Sequence, residues 1–116
     1  MEKVALYAIE ASASGLVKIG SSGDPHYRFK TIQAMSPEML EMRIISPIDG
    51  RELEKSFHER FAHLRHHGEW FRQKQELTVA LFEEEFKHYD KEVLRLTLEI
   101  LLEHLGGECS WGKQSA

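Results

Sequence analysis

The chain has 116 residues, of which 41% are hydrophobic and 29% are charged, and its formal net charge is −4. This length fits one domain with a modest core, and no apolar run is long enough to cross a bilayer. The single cysteine, Cys109, excludes an internal disulfide and a multi-cysteine zinc site; the first residues lack the pattern of a signal peptide, so we expect a cytoplasmic protein.

Charge is unevenly distributed along the chain. Residues 1–75 contain eleven Lys or Arg against ten Asp or Glu, whereas residues 76–116 contain four against nine. A neutral to basic N-terminal part is compatible with a phosphate backbone as partner, with the acidic part facing away from it. The alternative is that both parts are simply solvated surface, and charge alone does not decide between the two.

The first elements predicted are a β-hairpin and a helix. Residues 4–11 and 16–22 are rich in β-branched and apolar side chains, and turn residues lie between them. Asp24 is a good N-cap and Pro25 suits the first position of a helix over about residues 25–35. The side chains that this helix is expected to bury are Phe29, Ile32 and Met35.

The second half of the sheet and further helices follow. Alternation over residues 39–46 predicts a third strand, and an apolar stripe over about 51–66 predicts a helix that ends at Gly68. Residues 69–71 predict a strand that returns to the sheet, and the pattern from residue 76 onward is helical. The later stripe, closed by Gly106 and Gly107, consists of Leu94, Leu98, Leu101, Leu102 and Leu105.

This element order predicts a small α+β domain. The order β-β-α-β-α-β describes one mixed or antiparallel sheet with helices packed on it, followed by a C-terminal helical extension. We place the domain at residues 1–75, the extension at 76–107 and a frayed tail at 108–116. The leucine stripe makes a homodimer through residues 76–105 a further expectation.

Five polar side chains are expected to come close to one another in this layout. Tyr7 and Lys18 lie on the paired strands of the hairpin and can meet if they share a face. Arg28 precedes a buried phenylalanine on the first helix, and Glu54 and His58 are one turn apart on the second. A phenol, an ammonium, a guanidinium, a carboxylate and an imidazole can together activate water, hold a divalent metal and neutralise a phosphate.

These residues also match the motifs of a known family. Residues 4–71 resemble the GIY-YIG nuclease superfamily, especially its phage-type branch, through Ala5-Leu6-Tyr7 and Lys18-Ile19-Gly20 on the first two strands. Arg28 matches the helical arginine of that family and Glu54 its metal-binding glutamate. The block "HERFAHLRHHGEWF", which starts at His58, is similar to the closing block of the branch.

The resemblance implies a DNA endonuclease that hydrolyses a phosphodiester bond with one divalent ion. Tyr7 would orient or deprotonate the attacking water, and Arg28 would stabilise charge on the phosphoryl oxygens. Glu54 would hold Mg²⁺ or Mn²⁺, which suits a carboxylate with waters. Lys18 would lower the pKa of the tyrosine by its positive charge, and His58 would orient water or phosphate.

Two departures from the family pattern keep other functions open. Lys18 stands where the best-known members have tyrosine, and the late asparagine of many members is missing, since the chain contains no asparagine. Glu69 and Gln73 are the candidates to replace that asparagine. The alternatives are a non-catalytic DNA-binding or regulatory module on the same fold, and a protein-interaction domain that dimerises through residues 76–105.

Overall fold

A computed structural model describes residues 3–87 and 91–105 of the chain. The chain forms two compact units, of which the first ends at Glu85 and the second begins at Phe86. The predicted division into a domain over residues 1–75 and an extension over 76–107 stays a prediction. The predicted tail over residues 108–116 and the predicted helix end at Gly106 and Gly107 lie outside the described residues.

The first unit is built on a five-stranded sheet in which every strand pairing is antiparallel, as the predicted α+β class requires. The order across the sheet is β3-β1-β2-β5-β4, so the hairpin strands β1 and β2 are flanked by the later strands. The strands are β1 (Ala5–Ala11), β2 (Leu16–Ser22), β3 (Glu41–Ser46), β4 (Arg65–His67) and β5 (Trp70–Arg72).

Helices cover both faces of this sheet, because the side chains of β1 and β2 alternate between two buried clusters. Leu6, Ala8, Val17 and Ile19 pack under α2 (Gly50–Arg60) and α3 (Gln75–Glu85), together with Phe57 and Leu77. Tyr7 and Ile9 face the other side, where Phe29 and Ile32 of α1 (Pro25–Ala34) pack. A strand in this hairpin therefore sends alternate side chains to two different helix layers.

The first helix begins as predicted but buries less than expected. The Asp24 carboxylate accepts a hydrogen bond from the backbone N–H of Tyr27 at 3.1 Å, which caps the helix that Pro25 opens. Phe29 and Ile32 are half-buried, whereas Met35 follows the last helical residue and is 75% exposed. The prediction that Met35 is buried is therefore wrong, because the helix has already ended where it stands.

The second helix is shorter than predicted, and a strand takes the place of its last residues. It ends at Arg60 because Phe61 leaves helical geometry and enters the core, where it is 2% exposed. A 3₁₀ turn, Ala62–Leu64, then leads into β4. Gly68, with a φ of +57°, turns the chain into β5 and does not end a helix.

The second unit contains α4, Lys91–Leu105. Its apolar residues Leu98, Leu102 and Leu105 are exposed, with Leu102 and Leu105 at 66% each. The side chain of Leu94, the first residue of the predicted stripe, lies outside what the structure describes. No helix in the described part of the chain has the length and apolarity that a membrane crossing needs.

Candidate functional site

The candidate site lies at the end of β2, where this strand loses its neighbour β5. Pairing between the two strands covers only residues 16–18 of β2, and the N–H of Ile19 donates the last bond to the carbonyl of Glu69 at 3.1 Å. Beyond this point β2 continues to Ser22 without β5 beside it. Side chains from the two faces of the sheet can therefore meet at this open edge.

Tyr7 lies directly opposite Gly20 on the paired strand, and its ring covers that glycine. The side chain is 1% exposed, and a Cβ added at Gly20 would lie 2.6 Å from Cζ of the tyrosine ring. Any side chain at position 20 would thus collide with the phenol. The glycine of the Lys18-Ile19-Gly20 motif leaves the space that the tyrosine occupies.

Arg28 approaches the same phenol from α1. Its guanidinium lies within hydrogen-bonding reach of the Tyr7 hydroxyl, and the arginine is exposed to solvent. The nearby carboxylate of Asp24 is used as the helix cap. Arg28 therefore lies near the tyrosine hydroxyl, and its positive charge stays accessible to an anion from solution.

Lys18 shares the face of Tyr7, since it pairs with Ile9 two residues further along β1. Its ammonium lies 2.6 Å from the Glu69 carboxylate and 6.0 Å from the centre of the Trp70 ring. The side chain of Lys18 is only 11% exposed, so this ion pair supplies the partner that a buried ammonium needs. The positive charge of Lys18 is therefore compensated by the Glu69 carboxylate.

Glu54 reaches the open edge from α2, on the other face of the sheet. The hydroxyl of Ser21 donates a hydrogen bond to its carboxyl at 2.5 Å, and Nε2 of His58 lies 3.7 Å from its other oxygen. Burial raises the pKa of Glu54 above its ordinary value; the neighbouring Glu69 adds to this rise, while the Ser21 hydrogen bond opposes it. The environment thus favours the neutral carboxyl of Glu54.

Glu69 completes the cluster and connects its two halves. Burial pushes the pKa of Glu69 upward, but hydrogen bonds from Lys18 and Glu54 outweigh this effect and lower the pKa. The pKa of Glu69 is therefore lowered and that of Glu54 raised, so Glu69 loses its proton before Glu54 as the pH rises. Glu69 thus binds the lysine on one face of the sheet and shifts the pKa of the glutamate on the other.

His58 is held by the backbone of β2. Its Nε2 lies 2.8 Å from the carbonyl oxygen of Ile19, so in this geometry that nitrogen donates its N–H to the strand. Its ring also packs against Phe71, with 4.9 Å between the ring centres. His58 fixes the distance between α2 and β2, and so helps to position Glu54 at the edge of the sheet.

The protonation of Tyr7 differs from the expectation. Burial raises the pKa of the phenol above 10.0, and the hydrogen bond from Arg28 opposes this rise without cancelling it. The nearby Glu69 and Glu54 carboxyl groups raise the pKa further. Lys18 is paired with Glu69 and does not lower the pKa of Tyr7, so the tyrosine is a neutral phenol at neutral pH.

The donor atoms at the open edge fit a hard divalent cation. The carboxyl groups of Glu54 and Glu69 lie close enough to shift each other's pKa, and Mg²⁺ is typically held by one or two carboxylates while it keeps several waters. Within residues 3–87 and 91–105, no group of three or more His, Cys, Asp or Glu side chains is arranged to hold a metal.

The structure gathers all five residues singled out in the sequence at this edge, and it adds two others. Glu69 contacts both Lys18 and Glu54, and Ser21 binds Glu54. The sequence signal for Glu69 is its position between Gly68 and Trp70, in the turn that leads into β5. Gln73, the other candidate for the missing asparagine, donates its backbone N–H to Gly15 at the opposite end of β2.

Comparisons with known proteins identify the family. Residues 4–93 match the T5orf172 domain, and this segment contains every residue of the site. Neither the search of curated proteins nor the search of solved structures found a match. Because the match covers well over half of the chain, the protein belongs to the T5orf172 domain family, a phage-associated family related to GIY-YIG-like nuclease folds.

Proposed function

We propose that this protein is a DNA endonuclease that hydrolyses a phosphodiester bond at the open edge of β2. The observation that carries the proposal is the convergence of a phenol, a guanidinium and two carboxyl groups at one place. Tyr7 interacts electrostatically with Arg28, Glu54 and Glu69, although a strand, two helices and a turn supply these residues. A cluster with one exposed cation and perturbed acids is typical of sites that act on phosphate esters.

Arg28 is the group proposed to bind the scissile phosphate. Its guanidinium is exposed and already oriented by Tyr7, so it can contact the phosphoryl oxygens as their charge increases in the transition state. Tyr7 is proposed to orient the attacking water as a neutral phenol, because the raised pKa disfavours the phenolate. Lys18 is proposed as a positioning residue that holds Glu69.

Glu54 and Glu69 are the residues proposed to hold Mg²⁺ or Mn²⁺. When bound, such an ion supplies positive charge for the leaving oxygen. Ser21 and His58 contact Glu54 and are proposed to keep its carboxyl at the open edge. When Glu54 and Glu69 have both lost their protons, the two carboxylates are available to the cation.

Incubation of the purified protein with supercoiled plasmid and with linear and branched DNA tests this proposal. Each substrate is exposed to Mg²⁺, to Mn²⁺ and to EDTA. We expect nicked or linear products only with the divalent ions. Binding without cleavage under all conditions would instead support a non-catalytic DNA-binding module on the same fold, and its affinity would fall as salt is added.

A second proposal concerns self-association through α4. Leu98 and Leu105 are exposed and lie seven positions apart. Leu101 lies between them, three positions after Leu98, and this spacing suits a two-stranded coiled coil. We expect a dimer in light scattering and a monomer for Leu98→Glu. A monomeric wild-type protein at high concentration would refute this proposal without affecting the nuclease proposal.

A further inference from the structure

A groove runs from the candidate site along the α1 side of the molecule. Its first part is a cavity of about 370 Å³ lined by Lys18, Arg28, Ile32, Met35 and Trp70, together with Ser36. A second cavity of about 260 Å³ shares Ser36 and Trp70 with the first. The two cavities therefore adjoin at Ser36 and Trp70.

The two ends of the first cavity differ in chemistry. The end at the candidate site carries the guanidinium of Arg28, which faces solvent. Besides Lys18 and Ser36, the wall is apolar: Trp70 and Ile32 are half-buried, and Met35 is 75% exposed. A cavity of this size lies in the range of small-ligand sites, and its wall suits a flat apolar group attached to an anion.

A nucleotide of an unpaired strand has this combination of groups. Its phosphate can pair with a guanidinium, while its base presents a flat face that stacks on aromatic side chains whatever the sequence. A base inside a duplex has both faces covered by its neighbours and cannot offer one to the indole of Trp70. The groove chemistry therefore favours an unpaired strand over an intact helix.

We infer that this groove binds an unpaired DNA strand next to the scissile phosphate, with one base against Trp70 and Met35. The inference rests on the proposed function, because it takes the Arg28 end of the groove as the phosphate end. It adds the substrate class: DNA with a single-stranded segment, such as a flap, a bubble or a fork. The second cavity is bordered by His66 and His67 but also by the carboxylate of Glu38, so the inference is confined to the first cavity.

Tryptophan fluorescence tests the inference directly, because the chain has two tryptophans, Trp70 and Trp111. A Trp111→Phe, Glu54→Gln protein in EDTA reports on Trp70 alone and does not cut its ligand. We expect saturable quenching by a 12-nucleotide single strand and no quenching by a duplex of the same sequence. Equal quenching by both, or quenching by neither, would overturn the inference.

Two exposed methionines provide a matched pair of variants. Met35 lines the groove, whereas Met39 is 84% exposed and lies outside both cavities. In anisotropy titrations with the labelled single strand, Met35→Ala is expected to weaken binding by roughly threefold and Met39→Ala to leave it unchanged. Trp70→Leu is expected to weaken binding by about fivefold or more, and Trp70→Phe to retain most of it. Equal effects of the two methionine variants would contradict the inference.

The cleavage assay separates this inference from the proposed function. If the wild-type protein cuts DNA in Mg²⁺ but the single strand does not quench Trp70, only the groove inference fails. If no DNA is cut under any condition but the quenching and the methionine difference are observed, the endonuclease proposal fails and the groove still binds an unpaired strand.

Discussion

The carboxyl groups of Glu54 and Glu69 lie close enough to shift each other's pKa, although one is carried by α2 and the other by the turn between β4 and β5. The two carboxyl groups come close because β5 begins only at Trp70, opposite Lys18. The last residues of β2 are therefore open to side chains from both faces of the sheet. The opposite shifts of the two pKa values make the pair sensitive to pH and, in our proposal, to divalent cations.

The first prediction concerns the pH dependence of stability in the absence of metal. The pKa of Glu54 is raised in the folded protein, so its contribution to stability is complete below the ordinary carboxyl pKa of 4.5 and is lost as pH rises through the folded-state pKa. Glu54→Gln keeps a neutral hydrogen-bond donor and should remove this decline. The measurement is the free energy of unfolding in urea from pH 4 to pH 8.

The shifted pKa of Glu69 has the opposite effect on the pH dependence of stability. Its pKa is lowered, so its contribution to stability is present above the ordinary carboxyl pKa and is lost as pH falls through the folded-state pKa.

Glu59→Gln, at an exposed position of the same helix as Glu54, is the control for Glu54→Gln and should keep the wild-type pH profile. If the unfolding free energy of Glu54→Gln depended on pH as that of the wild-type protein does, the raised pKa of Glu54 would be contradicted.

The second prediction concerns the ion pair between Lys18 and Glu69. Glu69→Ala leaves a buried ammonium without its partner and should cost about 1–3 kcal/mol of unfolding free energy, a moderate loss because the Glu69 side chain is 39% exposed. Adding Lys18→Met should recover most of this loss, since the unpaired charge is then removed. Additive losses in the double variant, measured by urea unfolding, would show that the two side chains do not depend on each other.

The third prediction concerns the space that Gly20 leaves for the ring of Tyr7. Gly20→Ala places a methyl group 2.6 Å from the position of Cζ and should cost about 1–3 kcal/mol in unfolding free energy. The same change in a Tyr7→Leu background should cost clearly less, because the ring is gone. Thermal or urea unfolding of the four proteins measures the difference, and an equal cost in both backgrounds would rule out this explanation for the glycine.

The fourth prediction concerns the cation proposed to contact phosphate. Arg28→Ala should lower the rate of metal-dependent cleavage by about 10²-fold or more, the usual size of the loss of one group that stabilises transition-state charge. Lys30→Ala, two residues further along the exposed part of α1, removes the same charge and should leave the rate nearly unchanged. Similar losses in both variants would indicate a general electrostatic effect on DNA binding.

Local signals account for the parts of the fold that the sequence predicted correctly. The hairpin and the start of α1 follow from turn residues, β-branched runs and the Asp24-Pro25 pair, all of which act over a few positions. The end of α2 depends on the packing of Phe61 in the core, a tertiary contact that helical periodicity does not contain. β4 consists of an arginine and two histidines, which have no strand pattern, and it forms because β5 pairs with it.

The candidate site was likewise predicted where local motifs sufficed and missed where tertiary contacts decide. Tyr7, Arg28 and Glu54 were recognisable by motif, and their motif positions do lie at one edge of the sheet. The partner of Lys18 was not assigned, because it depends on where β5 stops and on how Gly68 turns the chain toward Glu69. The pKa of Tyr7 could not be predicted for a related reason: the nearest lysine is already paired, and burial dominates.

The endonuclease proposal is decided by plasmid nicking with the wild-type protein, Glu54→Ala and Glu59→Ala at equal concentration, each with Mg²⁺, Mn²⁺ or EDTA. We predict nicking by the wild-type protein and Glu59→Ala with the divalent ions only, and none by Glu54→Ala although it remains folded. Nicking by Glu54→Ala at the wild-type rate, or nicking that persists in EDTA, would contradict it.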